Sequence, residues 1–582
     1  MKNYNLKQTG SKLLNKVHLL IGILFIMPAI TYSQFSNEQI KKIKAAHLEV
    51  PNDKYVTTNK SKMAKSPAYT YKSSGFFTTQ VNIDADGNNI VGDAGNEPSI
   101  AIDPTNPNRI VIGWREFANI SSDFRQAGYA YSTDGGQTWI NPGPIDHTVF
   151  RSDPVLDTDA DGNFYYNSLT ADTINGVMKF KCKTYKISDA GVEWDDGVDS
   201  YGGDKLWMKV NKNNSIGGHN NYSVWSFYAS ACDGDFTRST DGGDSFEDCS
   251  NVSGKPFFGT LAIGPNGELY VFGLGPDSFI LSKSTNAHDT NAVVSWESPV
   301  AVDLGGTLVM QHNINPQGLL GQAWVDVDIS DGPNRGNVYV LASVSASENY
   351  ADVMFAKSSD GGKTFSAPVR INTDSETNNI QWFGTMSVAP NGRIDVIWLD
   401  TRDAPAGSQF FSALYYSYSV DGGESWSENE KLSDSFDPSI GYPQQQKMGD
   451  YYDMVSDNTG AHLAWSNTLN NGEDVYYAHI TPVFTGINEI KKNYVSLRNY
   501  PNPFSGETVI TFKLEKEEHA CIEIFDMMGK KVKTLLNSKL QQGNHNIIWN
   551  ACDEAGNRQP SGIYTCRFKS GYHMHIIKML LL

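Results

Sequence analysis

One stretch of the sequence carries oxygen-bearing side chains at the spacing of a calcium loop. Within twelve residues, positions 1, 3, 5, 7 and 12 are Asn82, Asp84, Asp86, Asn88 and Asp93. Gly87 takes position 6, where such a loop turns sharply, but the last ligand is Asp rather than the usual Glu. An Asp-Gly turn between two strands explains the same residues. The pattern favours the turn and leaves calcium open as a cofactor.

Acidic and basic side chains also recur where predicted strands end and loops begin. The residues of this kind are Arg151, Asp153, Asp204, Lys205, Asp400, Arg402 and Asp450. Glycoside hydrolysis uses paired carboxylates, and arginines bind anionic groups in bidentate geometry. Ion pairs between neighbouring sheets use the same residue types at the same places. The sequence therefore offers a candidate catalytic ring and a purely structural alternative.

A repeated turn organises the chain that must position these groups. The string Ser132-Thr-Asp-Gly-Gly-Gln-Thr-Trp139 follows the pattern S-x-D-x-G-x-x-(W/F), which returns at Ser239–Phe246, Ser358–Phe365 and Ser419–Trp426. Weaker copies contain Asp189 and Asn286. The Asp accepts backbone N–H groups, and the glycines allow positive φ, so each copy predicts a rigid hairpin turn. A repeat of about 50 residues rich in short strands is typical of propeller blades.

These turns resemble the Asp-boxes of the sialidase superfamily. The resemblance covers roughly residues 91 to 483 and implies a six-bladed β-propeller, with Asp474–Ile480 as a closing strand. It also implies a site at the axis, with three arginines, a Tyr nucleophile, a Glu and an Asp. By position, Arg115 and Asp123 match one arginine and the acid/base. The departure is Glu97, which stands where the family has its first arginine, and its carboxylate would repel sialic acid.

The last segment of the chain has a different pattern. Alternating strands separated by Pro and Gly predict a small antiparallel sandwich over residues 484–582. Its strings, including Asn499-Tyr-Pro-Asn-Pro-Phe504 and Pro560-Ser-Gly-Ile-Tyr564, resemble the C-terminal sorting domain of the type IX secretion system of Bacteroidota. That resemblance implies export by the type IX machinery to the medium or the cell surface.

The start of the chain predicts export as well. Residues 1–33 have the basic, apolar and small-residue regions of a signal peptide, and residues 34–80 are expected to be a flexible lead-in. We place the propeller at residues 81–483. In an exported chain the six cysteines are free to pair, and Cys232 and Cys249 flank the third repeated turn closely enough to join it. No transmembrane segment is expected after the signal peptide is removed.

Composition limits the possible partners. The chain has 582 residues, 12% of them aromatic, and a formal net charge of -18, which argues against binding nucleic acid. The sequence thus predicts an all-β protein, a six-bladed propeller followed by a β-sandwich, that acts on or binds extracellular glycan. Its hydrolase form would use Arg115, Asp123, Arg151, Asp153, Arg402 and Asp450. The alternative is a non-catalytic propeller that binds carbohydrate or protein.

Overall fold

The computed structural model of the protein describes residues 53–482 and 497–582, except for 175–176, 189–190, 228–231, 346–349, 376–377, 515–516, 528 and 571–572. The predicted signal peptide and Asp189 of the second turn lie outside these residues. The chain divides into two compact units, Met1–Val483 and Phe484–Leu582. Within the described part, no helix has the length and hydropathy needed to cross a membrane.

Almost all regular structure in the described residues is β-strand, besides a short 3-10 helix at Lys60–Lys62. The strands of the first unit are β1 (Lys65–Pro67), β2 (Thr70–Ser73), β3 (Phe76–Gln80), β4 (Asn88–Ile90), β5 (Ala94–Ile102), β6 (Ile110–Phe117), β7 (Arg125–Ser132), β8 (Ser152–Thr158), β9 (Phe164–Ile174), β10 (Val177–Ile187), β11 (Val198–Asp199), β12 (Trp207–Val210), β13 (Asn221–Val224), β14 (Phe236–Ser239), β15 (Phe257–Ile263), β16 (Leu269–Leu274), β17 (Phe279–Ser284), β18 (Val300–Val302), β19 (Thr307–Leu308), β20 (Trp324–Val327), β21 (Val338–Ser345), β22 (Asp352–Ser358), β23 (Val369–Arg370), β24 (Gln381–Val388), β25 (Ile394–Asp400), β26 (Ala413–Ser419), β27 (Glu430–Lys431), β28 (Asp453–Ser456), β29 (Ala461–Asn467) and β30 (Asp474–Ile480). The strands of the second unit are β31 (Arg498–Tyr500), β32 (Thr508–Leu514), β33 (Glu518–Phe525), β34 (Lys531–Leu540), β35 (Gly543–Trp549), β36 (Gly562–Ser570) and β37 (His573–Leu581).

The first unit is a closed ring of antiparallel sheets. In chain order these are β5–β7, β8–β11, β12–β14, β15–β18, β19–β23, β24–β27, and β28–β30 joined by β3 and β2. Their innermost strands, β5, β8, β12, β15, β20, β24 and β28, each contact the next, and β28 contacts β5. Strands such as β6 and β25 are buried along their whole length because neighbouring sheets cover both faces. This arrangement is a β-propeller.

The ring has seven sheets among the described residues, so the prediction of six blades is wrong. The repeated turns mark the hairpin after the third strand of a sheet. The seventh sheet has no such hairpin, because the next strand beside β30 is β3, from the other end of the chain. Counting turns therefore missed one sheet. The propeller also begins before residue 81, because its seventh sheet includes β2 and β3, which lie inside the predicted lead-in.

The four clear turns share one set of contacts. In the first, Asp134 Oδ1 accepts the Thr138 N–H at 2.9 Å, and Ser132 Oγ accepts the Gly136 N–H at 2.8 Å. The turns of the third, fifth and sixth sheets repeat both bonds. Gly136, at φ 84°, lies so close to the Tyr477 ring of the preceding sheet that a Cβ would come within 2.2 Å of it. Each turn therefore also fixes the spacing between two sheets.

The second unit is a sandwich of two antiparallel sheets. One consists of β31, β32 and β35, and the other of β34, β33, β36 and β37. The strands alternate in burial, as in β32, and their inward side chains form one core that includes Ile510, Phe512, Trp549 and Phe568.

Candidate functional site

Charged residues stand at a strained backbone position in the inner strands of the first two sheets and just before that of the third. Glu97, Asp153 and Lys205 have φ of 49°, 46° and 60°, in the left-handed region that non-glycine residues seldom adopt. In β5 and β8 the pairing register shifts at this point, which marks a bulge. Bulges redirect side chains at the ends of sheets. Phe258 and Phe383 take the same conformation in the fourth and sixth sheets.

The redirected side chains meet in a buried network, which we call the axial charge cluster. Its members are Glu97, Arg115, Arg125, Asp153, Asp204, Lys205, Lys447 and Asp450, each at most 2% exposed. Glu97 Oε1 lies 2.6 Å from Arg115 Nη1 and 2.7 Å from Lys447 Nζ. Asp450 Oδ2 lies 2.6 Å from both Lys447 Nζ and Lys205 Nζ. These bonds join the first, third and seventh sheets.

The cluster contains four carboxyl groups and four basic side chains, so its formal charges balance. Burial raises the pKa of Glu97 and lowers the pKa of Lys447, so desolvation opposes charge on both members of that pair. Burial alone would lower the pKa of Lys205, but Asp204, Asp450 and Asp153 raise it well above its ordinary value. Burial raises the pKa of Asp204 to about 7. The acids and bases of this cluster neutralise one another.

Backbone groups complete the cluster. Asp153 Oδ2 accepts the Lys205 N–H at 2.9 Å, and Asp450 Oδ1 accepts the Leu319 N–H at 2.8 Å. Arg115 also donates to the side chain of Gln445, and Arg125 lies over the Phe150 ring at 4.6 Å. Two of the four carboxylates, those of Asp153 and Asp450, therefore accept hydrogen bonds from the backbone.

Aromatic side chains fill the axis beside the cluster. Trp207 of β12 contacts Trp324 of β20 at 5.1 Å and Tyr451, which precedes β28, at 5.0 Å between ring centroids. These residues belong to three sheets that are not neighbours in the ring, so their contact spans the axis. The Tyr451 hydroxyl donates to the Pro154 carbonyl at 2.7 Å, and burial raises its pKa well above the ordinary value. A tyrosine in this state is a poor nucleophile.

Three of the six catalytic candidates from the sequence come together. Arg115, Asp153 and Asp450 all belong to the axial charge cluster. Within the described residues only two arginines, Arg115 and Arg125, contribute to it, and Arg115 is already paired with Glu97.

The side chains of the other three candidates have contacts with residues that are not members of the cluster, although the Asp123 carbonyl accepts from Arg125 Nη1 at 2.8 Å. Asp123 Oδ1 accepts the Asp53 N–H at 3.0 Å. Arg151 Nη2 lies 2.6 Å from Asp146 Oδ2, with its guanidinium over the Tyr185 ring. Arg402 Nη2 lies 2.6 Å from Asp400 Oδ2 in its own turn and 3.5 Å from Asp374.

Sequence reasoning missed Lys447 and Arg125 as members of the site. Lys447 is three residues before Asp450, a spacing that points to a local ion pair but gives no sign of Glu97 as its second partner. Arg125 lies at the start of a strand with nothing around it in the sequence to mark it.

The calcium-like string forms a turn with separate partners for its acids. Asp84 Oδ1 accepts the backbone N–H groups of Asp86 and Asn88, and Asp84 also pairs with Lys65. Asn82 Nδ2 donates to Asp474 at 2.8 Å, and Asp93 pairs with Lys60 at 3.4 Å. In the described part of the chain, no three His, Cys, Asp or Glu side chains are grouped to hold a metal ion. Residues 84–88 form the turn, and calcium binding by this string stays a prediction.

The fold and site define an all-β protein made of a propeller and an Ig-like domain. Residues 499–572 match the FlgD Ig-like domain family. No curated protein is significantly similar to the chain.

Solved structures that match the chain share little sequence with it. A protein of unknown function from Dyadobacter fermentans is 14% identical over 70% of this chain and 99% of its own, with a TM-score of 0.40. A Trypanosoma rangeli sialidase in complex with the inhibitor DANA is 10% identical over 86% and 87%, with a TM-score of 0.34. PorZ, a surface component of the type IX secretion system of Porphyromonas gingivalis, is 10% identical over 87% and 73%, with a TM-score of 0.26.

Proposed function

We propose that the protein is an exported β-propeller that binds extracellular glycan without hydrolysing it. The observation that carries this proposal is the axial charge cluster, in which Arg115, Lys205 and Lys447 are each paired with a carboxylate and Arg125 donates to the Asp123 carbonyl. Sialidase chemistry needs arginines free to bind the substrate carboxylate and a Tyr activated by a Glu. Here Glu97 neutralises Arg115, and Tyr451 donates to a backbone carbonyl.

A glycoside hydrolase is the second candidate. The proximity of Arg115, Asp153 and Asp450 favours it, because two carboxylates beside a cation are the elements of acid/base glycoside cleavage. Catalysis would require the cluster to open, since Asp153 and Asp450 are at most 1% exposed.

Export is supported by three independent features. The predicted signal peptide begins the chain, and the Cys232–Cys249 disulfide is of the kind that persists in oxidising compartments. The C-terminal unit carries the strings that resemble a type IX sorting domain, on an Ig-like fold. We assign the second unit the role of export address and the first the role of binding.

The binding proposal is tested with the purified protein on fluorogenic sialosides and acidic polysaccharides, with and without calcium, and on a glycan array. We expect retention on the array and no turnover. Turnover that Asp153→Asn abolishes, while circular dichroism and unfolding temperature stay unchanged, would instead establish the hydrolase.

The export proposal is tested in a bacterium with a type IX system. The full chain should reach the medium or the cell surface, and a chain ending at Val483 should stay in the periplasm. Equal export of both chains would contradict the role assigned to the C-terminal unit.

A further inference from the structure

A cleft of about 420 Å³ lies between the second sheet and the repeated turn of the third. Its lining residues are Lys181, Val198, Asp199, Tyr201, Ser245 and Phe246. Small-molecule sites range from about 300 to 1,000 Å³ and combine apolar or aromatic walls with a few polar groups. The cleft has this composition, and none of its lining residues belongs to the axial charge cluster.

One aromatic wall of the cleft is held in place before any ligand arrives. The Tyr201 hydroxyl donates to Asp248 Oδ1 at 2.9 Å. Tyr201 also packs against the hydrophobic core together with Cys232 and Cys249, and the disulfide between these cysteines fixes the segment next to Asp248. A wall fixed in this way loses little conformational entropy on binding.

The polar groups of the cleft remain available to a ligand. Lys181 Nζ and Asp199 Oδ2 are 3.6 Å apart, and their side chains are 35% and 69% exposed. An exposed pair of this kind contributes little to stability and rearranges easily. Ser245 Oγ donates to Asp241 Oδ2 at 2.5 Å, so its remaining hydrogen-bonding capacity is that of an acceptor.

We propose that this cleft binds a neutral saccharide unit. Tyr201 and Phe246 offer ring faces to the apolar side of a sugar, while Lys181 and Asp199 bond its hydroxyl groups. Lys181 and Asp199 are the charged residues that line the cleft and their charges cancel, so the cleft has no net attraction for an acidic sugar such as sialic acid. The inference rests on the proposed glycan-binding function and adds its location and ligand class.

The test compares the full chain with single variants on immobilised N-acetyllactosamine and its sialylated counterpart. The wild-type protein should bind the neutral glycan more tightly. Tyr201→Ala should weaken that binding about tenfold, the loss expected for about 1.4 kcal/mol of stacking. Asp199→Ala, at an exposed position, should weaken it without altering the unfolding temperature.

Phe365→Ala is the matched control, because Phe365 holds the place of Phe246 in the turn of the fifth sheet and is not part of the cleft. It should leave binding unchanged. Binding of the neutral glycan that none of the cleft variants weakens would overturn the cleft assignment and leave the proposed function standing. Preference for the sialylated glycan would overturn the ligand class. Absence of binding to every glycan on the wider array would overturn both.

Discussion

At the scale of single residues, the main question is how the protein tolerates the eight buried charged residues of the axial charge cluster. Moving an isolated ion into the interior costs several kcal/mol even after relaxation. In the axial charge cluster, ion pairs offset this desolvation cost, and single carboxylates pair with two cations each. Asp450 binds two lysines, and Glu97 binds a lysine and an arginine. Removing one of these carboxylates therefore takes an ion-pair partner from two buried cations at once.

Asp450→Asn is the variant that tests this sharing. It leaves the ammonium groups of Lys205 and Lys447 buried without their common carboxylate. We expect the free energy of unfolding to fall by about 3–5 kcal/mol. The measurement is denaturant unfolding followed by tryptophan fluorescence.

Glu424→Gln is the matched control for Asp450→Asn. Glu424 pairs with Lys357 at the same 2.6 Å, but its side chain is 73% exposed. Its loss should cost less than about 1 kcal/mol, because water screens the pair. Equal losses for both variants would mean that burial does not set the strength of the axial cluster.

At the scale of elements, the repeated turns act through their aspartates. Hydrogen bonds from Thr364 and Ser358 hold the pKa of Asp360 below its ordinary range. The corresponding carboxyls, Asp134, Asp241 and Asp421, also have lowered pKa values, because hydrogen bonds outweigh burial, which acts in the opposite direction. A carboxyl whose pKa is lower in the folded than in the unfolded state stabilises the fold only while it is ionised.

We therefore expect the propeller to lose stability as the pH falls below the unfolded-state value of about 4 and toward the lower folded-state values. Asp360→Ala should reduce the free energy of unfolding at neutral pH by about 1–3 kcal/mol through lost charged hydrogen bonds. It should also flatten the dependence on pH. Unfolding temperatures between pH 6 and pH 2 measure both effects.

Asp360→Asn separates the contribution of the carboxylate charge to stability from that of the hydrogen bonds that the side chain accepts. The fourth sheet carries Asn286 at this position, where its Oδ1 accepts the Ser295 N–H at 2.9 Å, so an amide preserves part of the turn. This variant should be more stable than Asp360→Ala at neutral pH and show the same flattened profile. A pH profile that keeps its full slope in both variants would assign the acid sensitivity to other carboxyls.

The turns were predictable from sequence because their bonds join residues at most four apart. The left-handed backbone positions that help to build the axial charge cluster were not, because they carry Glu97, Asp153 and Lys205 rather than glycine. Arg115, Asp153 and Asp450 were identified as charged residues at strand ends. Their partners come from distant sheets, and only the closed ring brings Lys447 to Glu97.

At the scale of the whole molecule, ring closure decides how many sheets there are and where the propeller begins. Sequence repeats gave the all-β class and the order of the sheets. They missed the seventh sheet because it combines β28–β30 with strands from almost 400 residues earlier. Repeats along the sequence show which segments resemble one another. They do not show that the first strands of the propeller pair with its last strand, as β3 does with β30.

Truncation at the start of the chain tests this closure. A chain beginning at Tyr69 keeps β2 and β3, whereas a chain beginning at Val81 lacks both and leaves β30 as an open edge. Phe76 is 2% exposed, and its burial alone is worth about 1.5–3 kcal/mol. We expect the Val81 chain to unfold at a lower temperature and to aggregate through the free edge, while the Tyr69 chain stays monomeric. Equal unfolding temperatures would mean that the ring is held by its inner strands and the axial charge cluster, without help from the N-terminal strands.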